Sequence, residues 1–151
     1  MVLVSACLLG KCCRYNGGHS KNQNVLAYIK ERYYISVCPE VLGGLETPRH
    51  PAEIIGGTGK EVIEGTAKVC NNLGQDVTAA FLAGAHMVVE LAQRNNATEV
   101  ILKENSPSCG VYSIYDGSFS GKKIFGSGVC AELLKELPLV LMNEDLVTFA
   151  Q

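Results

Sequence analysis

Three short apolar runs in this chain each lead to a cysteine, and residues that break regular structure follow at once. Val2-Leu3-Val4-Ser5-Ala6 reaches Cys7 and then Gly10, while Tyr34-Ile35-Ser36-Val37 reaches Cys38 and then Pro39-Glu40. Val100-Ile101-Leu102 leads into Lys103-Glu104-Asn105-Ser106-Pro107-Ser108-Cys109-Gly110. Each run reads as a short buried strand. Open α/β sheets place their chemistry beyond the carboxyl ends of their strands, so three thiols are expected at one edge of one sheet. Pro107 fixes its own φ and pushes Ser106 out of the helical region, and Gly110 permits a tight exit, so the last of the three turns is stiff.

The connections fit that arrangement. After a Gly-rich loop from Gly10 to Ser20, a helix capped by Asn22 or Asn24 is predicted to run to about Arg32, with Val25, Leu26, Ile29 and Tyr33 on one face. Such a crossover makes the strands on either side of it parallel and right-handed in connection. Pro39 to Pro51 is too rich in Gly and Pro for a regular element and too apolar for a solvated linker, which predicts a packed loop beside the site. Gly56 to Gln75 reads as a small hairpin excursion, with Val62-Ile63 and Thr66 to Cys70 as strand candidates. Asp76 is expected to cap the best helix of the chain, in which Phe81, Ala85, Val88 and Ala92 recur at helical spacing. A strand over 98–103 follows, then a hairpin or long loop turning at Asp116-Gly117 and closing over the site. Ser127 is expected to cap a helix from Gly128 to Glu136, and Pro138 to Met142 reads as the last strand. The order predicts a three-layer, Rossmann-like α/β domain over residues 1–151, with a mainly parallel sheet of about four strands.

At 151 residues, 47% of them hydrophobic, the chain buries enough surface to fold without a metal or a disulfide. The formal charge is −2 and the 13 Lys and Arg are spread out, which argues against DNA or any nucleic acid gripped through many phosphates. No apolar run approaches the roughly 20 residues that span a bilayer, and the start of the chain carries no secretion signal. A soluble, cytoplasmic protein is expected. Seven cysteines in such a chain point to metal binding or thiol chemistry rather than to a disulfide framework.

A free cysteine is most often a small buried apolar side chain, and Cys70 and Cys130 take that reading. Cys7, Cys38 and Cys109 each close a strand instead. Three convergent thiolates suit zinc with a water as fourth ligand, or an iron–sulfur cluster with one iron left without a protein ligand, and spacing does not choose between them. The adjacent Cys12-Cys13 pair matches no common metal-site spacing, and His19, His50 and His86 are scattered. Glu40 and Ser106 fall within reach of anything the three cysteines bind. A carboxylate there can deprotonate water and a hydroxyl can orient it, a pairing that points to hydrolysis. The rival readings are a zinc or cysteine-nucleophile hydrolase and a non-catalytic metal or iron–sulfur module.

Ser5-Ala6-Cys7-Leu8-Leu9-Gly10, Arg14-Tyr15-Asn16-Gly17, Cys38-Pro39-Glu40-Val41 with Gly43-Gly44-Leu45 and Pro48-Arg49, and Ser106-Pro107-Ser108-Cys109-Gly110 together resemble the thiouracil desulfidase (TudS) family. Gly117-x-Phe119 and Gly126-x-Gly128-Val129 extend the resemblance over nearly the whole chain. It implies a [4Fe–4S] cluster on Cys7, Cys38 and Cys109, with Glu40 and Ser106 as catalytic residues. It also implies a small thiolated pyrimidine or its nucleoside or nucleotide as substrate, and iron–sulfur assembly machinery as a partner. Arg14, Tyr15, Lys103 and Asn105 are the candidates for holding the base or a phosphate. Asn16 and Phe125 depart from the family pattern, both in loops, which bears on substrate preference more than on chemistry.

Overall fold

The computed structural model describes residues 1–147, so the last four positions of the expected 1–151 domain lie outside the described residues. Strand β1 (Val2–Ser5) passes into a 3-10 turn (Ala6–Leu9), followed by α1 (Gln23–Ile29), β2 (Tyr34–Val37) and α2 (Pro39–Leu42). Then come β3 (Ala52–Ile55), α3 (Gly59–Glu64), β4 (Lys68–Asn71) and the long α4 (Thr78–Arg94). The chain continues through β5 (Glu99–Leu102), β6 (Ser113–Tyr115), β7 (Lys123–Phe125), α5 (Val129–Leu134) and β8 (Val140–Asn143).

The main sheet has the order β2-β1-β5-β8, and all three pairings are parallel. From β1 the chain steps outward to β2, then returns past β1 to β5. The reversal leaves a crevice beyond the carboxyl ends of β1 and β5, the place where open α/β sheets bind ligands. Side chains alternate across the strands. Leu3, Val100 and Leu102 pack with α4 and α5 on one face, and Val2, Val4 and Ile101 pack with α1 on the other. That makes the three layers anticipated from the sequence. Each of these fully buried aliphatic side chains contributes about 1.5–3 kcal/mol by leaving water. On α4 the buried residues are Phe81, Gly84, Ala85, Val88 and Ala92, the apolar stripe read from the sequence with one glycine added.

Several local readings are corrected. Val62 and Ile63 lie in α3, not in a strand: the backbone N–H of Thr58 donates to Glu61 Oε1 at 2.8 Å in a capping box, a helix-start signal that outweighs two β-branched residues. The partner of β4 is β3, antiparallel, from residues 52–55, which lie between the predicted loop and the predicted excursion and carry no predicted element. Pro39–Leu42 is a helical turn, with Pro39 at a position that needs no N–H donor. Asn22 does cap α1, accepting from Val25 N at 3.0 Å, but the helix stops at Ile29. Tyr33 therefore leaves the buried face and is 90% exposed. Ser127 does not cap α5; its hydroxyl donates to the carbonyl of Val111 at 2.7 Å, and Gly128 takes the cap position.

Candidate functional site

Each strand of the crevice delivers its thiol by a different local device. Cys7 sits in the 3-10 turn that β1 runs into. Cys38 is the cap residue of α2, directly after β2. Cys109 lies at the end of the turn after β5, where the Ser106 hydroxyl accepts the Cys109 N–H at 2.7 Å and holds the turn closed. All three line one cavity of about 1040 Å³, and the same cavity is lined by Glu40, Ser106, Arg14, Tyr15, Lys103 and Asn105. Every residue singled out from the sequence as catalytic, cluster-holding or substrate-holding thus faces one space.

Glu40 is placed by close helix packing. A Cβ on Gly84 of α4 would lie 1.8 Å from the carbonyl oxygen of Pro39, and one on Gly43 would lie 2.0 Å from that of Ala80. Only glycines let the two backbones touch, and the contact seats the first turn of α2 with Glu40 aimed at the cavity. Its Oε2 accepts from the Cys38 thiol at 3.5 Å and lies 3.9 Å from Arg49 Nη2. Arg49 also donates to the carbonyl of Cys13 at 3.1 Å, tying the loop after β1 to the loop after α2.

The other candidates are held less freely than the sequence implies. Lys103 Nζ pairs with Glu144 at 2.9 Å and donates to the Glu104 carbonyl at 3.2 Å. Asn105 adopts φ +76° and its Oδ1 accepts from Ser113 Oγ at 2.6 Å, leaving its amide N–H groups available. Arg14 lies 5.9 Å from the centre of the Tyr15 ring and has no carboxylate partner among the described residues. Asn16 turns its Oδ1 back onto the N–H of Gly18 at 2.8 Å, and Phe125 is 94% exposed on β7.

Cys13, Arg49, His50 and Glu53 also line the cavity, although residue order gave them no role. Cys13 lines the same cavity as Cys7 and Cys38, and its carbonyl accepts from the Cys38 thiol at 3.8 Å, so it stands among the thiols, whereas its neighbour Cys12 is exposed. The signal for Cys13 was its place in the loop directly after the first strand. His86 is exposed on α4, away from the site, and Cys70 and Cys130 are buried.

The local electrostatics keep the thiols of Cys13, Cys38 and Cys109 protonated. Its hydrogen bond with Cys38 favours the Cys13 thiolate, but the bond with Cys7, burial and nearby negative charge outweigh it and push that thiol up to about 11. The bond with Cys13, burial and Glu40 push Cys38 up strongly, and burial with Glu40 does the same for Cys109. A strongly positive centre is what such a set needs to become thiolate. Among the described residues no three His, Cys, Asp or Glu side chains gather tightly enough to hold a single metal ion. Zinc draws all its ligands to about 2.0–2.3 Å of one point. An iron–sulfur cubane spreads its cysteines over different irons, so a donor set of thiols around a roomy cavity fits it better.

A family model for 2-thiouracil desulfurase matches residues 2–145. The chain belongs to the 2-thiouracil desulfurase family. One relative of this desulfurase-family chain is the uncharacterized protein YbbK of Bacillus subtilis (strain 168), 52% identical over 145 residues and covering 96% of each chain. A solved structure of the [4Fe–4S]-dependent thiouracil desulfidase TudS is 36% identical, with a TM-score of 0.80 over 95% of this chain and 90% of that one. At that identity and coverage the likeness to TudS is one of sequence and fold together. No helix among the described residues of this family member is long and apolar enough to cross a membrane.

Proposed function

We propose that this chain is an iron–sulfur-dependent, non-redox desulfidase acting on a thiolated pyrimidine, as the free base, nucleoside or nucleotide, and that residues 1–151 make up one such domain. What carries the reading is the single cavity lined by Cys7, Cys38 and Cys109 together with Glu40 and Ser106. The likeness to the [4Fe–4S]-dependent TudS supports the choice of cluster over zinc. Cys7, Cys38 and Cys109 would hold a [4Fe–4S] cluster delivered by iron–sulfur assembly machinery. When bound, the cluster supplies an iron without a protein ligand, a soft Lewis acid for a thiocarbonyl sulfur.

The protein's own groups divide the remaining work. Glu40, two residues from Cys38, takes the proton as water adds to the thiocarbonyl carbon. The Ser106 oxygen is already an acceptor from the Cys109 N–H, so its O–H points its one proton elsewhere and can donate to that water or to the substrate. The C–S bond breaks, sulfide leaves, and a carbonyl replaces the thiocarbonyl. No electron is transferred. Arg14 and the free amide of Asn105 hold the substrate, Tyr15 presents a ring to it, and Lys103 contributes positive charge while staying paired with Glu144.

Anaerobic reconstitution tests this directly. The loaded protein should carry about four irons and four sulfides per chain, and should convert 4-thiouracil or its nucleotide to the oxo product with one sulfide released. Stoichiometric zinc without acid-labile sulfide, or a full cluster with no sulfide released from any thiopyrimidine, refutes the proposal.

A further inference from the structure

We propose that Phe119 is a specificity-determining residue, a fixed aromatic platform on which the flat heteroaromatic ring of the substrate stacks, with Glu53 as the residue that positions it. The inference rests on the desulfidase reading for the identity of the ring and on the structure for the platform. Phe119 has φ +55°, a left-handed conformation that costs free energy for a residue with a bulky side chain. Phe119 lines the cavity, stays 38% exposed and belongs to neither apolar core cluster. Folding therefore gains little from holding this ring in that state.

Specific interactions hold it there nonetheless. Glu53, on β3, is 9% exposed and aims its carboxylate at the tip of the β6–β7 hairpin. Its Oε1 accepts the backbone N–H of Gly117 at 2.9 Å and that of Phe119 at 3.2 Å. Asp116 closes the same turn by accepting the Ser118 N–H at 2.9 Å. A Cβ on Gly117 would sit 2.5 Å from the carbonyl of Ile54, so the hairpin tip rests backbone against backbone on β3. A buried carboxylate is costly unless paired or hydrogen-bonded, and the described bonds of this one go to the two amides that set the backbone of Phe119. Strain combined with a dedicated tether and an unburied ring points to a function for the ring at the cavity. A planar pyrimidine offers a π-face to such a ring, an interaction whose loss weakens binding by roughly 5- to 150-fold.

The chain contains no tryptophan, so Phe119→Trp introduces a single tryptophan at the platform, whose emission is excited selectively beyond the absorption of the six tyrosines. In cluster-free Phe119→Trp protein, uridine should quench that fluorescence saturably, while dihydrouridine, whose base is no longer flat and aromatic, should require at least about tenfold more. In the loaded enzyme, Phe119→Ala should raise KM for 4-thiouridine roughly tenfold with kcat within about twofold, and Phe119→Tyr should restore KM. Glu53→Ala should raise KM likewise, and Glu53→Gln, which keeps an acceptor oxygen, should largely rescue it. Equal quenching by the two nucleosides, or no quenching, overturns the platform, and so does an unchanged KM in Phe119→Ala. If the unmodified loaded protein turns over no thiopyrimidine while the selective quenching persists, the desulfidase reading fails and the stacking site stands.

Discussion

The carboxylate of Glu40 accepts a hydrogen bond from the thiol of Cys38 at 3.5 Å, two residues away across the junction between β2 and α2. The spacing puts the proposed base and a proposed cluster ligand on one short turn. It also separates their roles, because the carboxylate touches the thiol through a hydrogen bond that a neutral amide of the same size can partly replace. Glu40→Gln should keep the cluster and its colour, still bind thiolated substrate, and lose about 100-fold or more in kcat. Parent-rate turnover by that variant, measured as sulfide released, would remove Glu40 from the mechanism.

The thiols should sort by position. Cys7→Ala, Cys38→Ala and Cys109→Ala should each abolish the visible absorbance of reconstituted protein and its activity together, since two remaining cysteines hold a cubane poorly. Cys12→Ala should leave both unchanged, because Cys12 is exposed outside the cavity. Iron and sulfide analysis of the four variants checks the division, and a coloured, active Cys109→Ala protein counts against it.

Gly84→Ala tests the seat of α2. The added methyl would overlap the Pro39 carbonyl at 1.8 Å, and since neither backbone can give way cheaply, α2 must move off α4. A loss of about 1–3 kcal/mol in denaturant unfolding is expected, together with a lower kcat as Glu40 is displaced. Gly65→Ala is a useful contrast, because its Cβ meets nothing within 4 Å although its φ of +86° is strained. That variant should lose stability without losing kcat.

Glu104 gives the fold an acid-sensitive tie. Burial raises its carboxyl, but the Asn143 amide and the N–H groups of Val111, Tyr112 and Asn105 outweigh that and hold it below the usual carboxylate range. Its oxygens accept from Val111 N at 2.5 Å and from Asn143 Nδ2 at 2.6 Å, joining the turn after β5 to the start of the hairpin and to β8. A carboxyl whose folded value is depressed adds stability that is complete above its unfolded value, about 4.3, and is lost as pH falls through the folded value. Glu104→Gln should therefore cost about 2–3 kcal/mol at pH 7 and progressively less below about pH 4, as read from unfolding midpoints across that range. A pH-independent difference would mean that charge contributes nothing there.

The sequence by itself determined the parallel sheet, the apolar stripe of α4 and the strand ends that carry Cys7, Cys38 and Cys109. These follow from local patterns: β-branched runs, helical spacing and turn formers read over a few residues at a time. The candidate site residues were legible for the same reason, since each follows a strand closely and a parallel sheet gathers its strand ends. Tertiary structure decided what depends on contacts between distant segments. No local pattern could show that Gly43 meets Gly84, that the Cys13 carbonyl meets the Cys38 thiol, or that Glu53 on β3 reaches the hairpin tip 64 residues further on. Val62-Ile63 and Tyr33 went astray where two local signals competed and a cap or helix end settled the outcome. The cavity exists only when all of these meet, because each wall comes from a different connection and only packing fixes how the connections lie together.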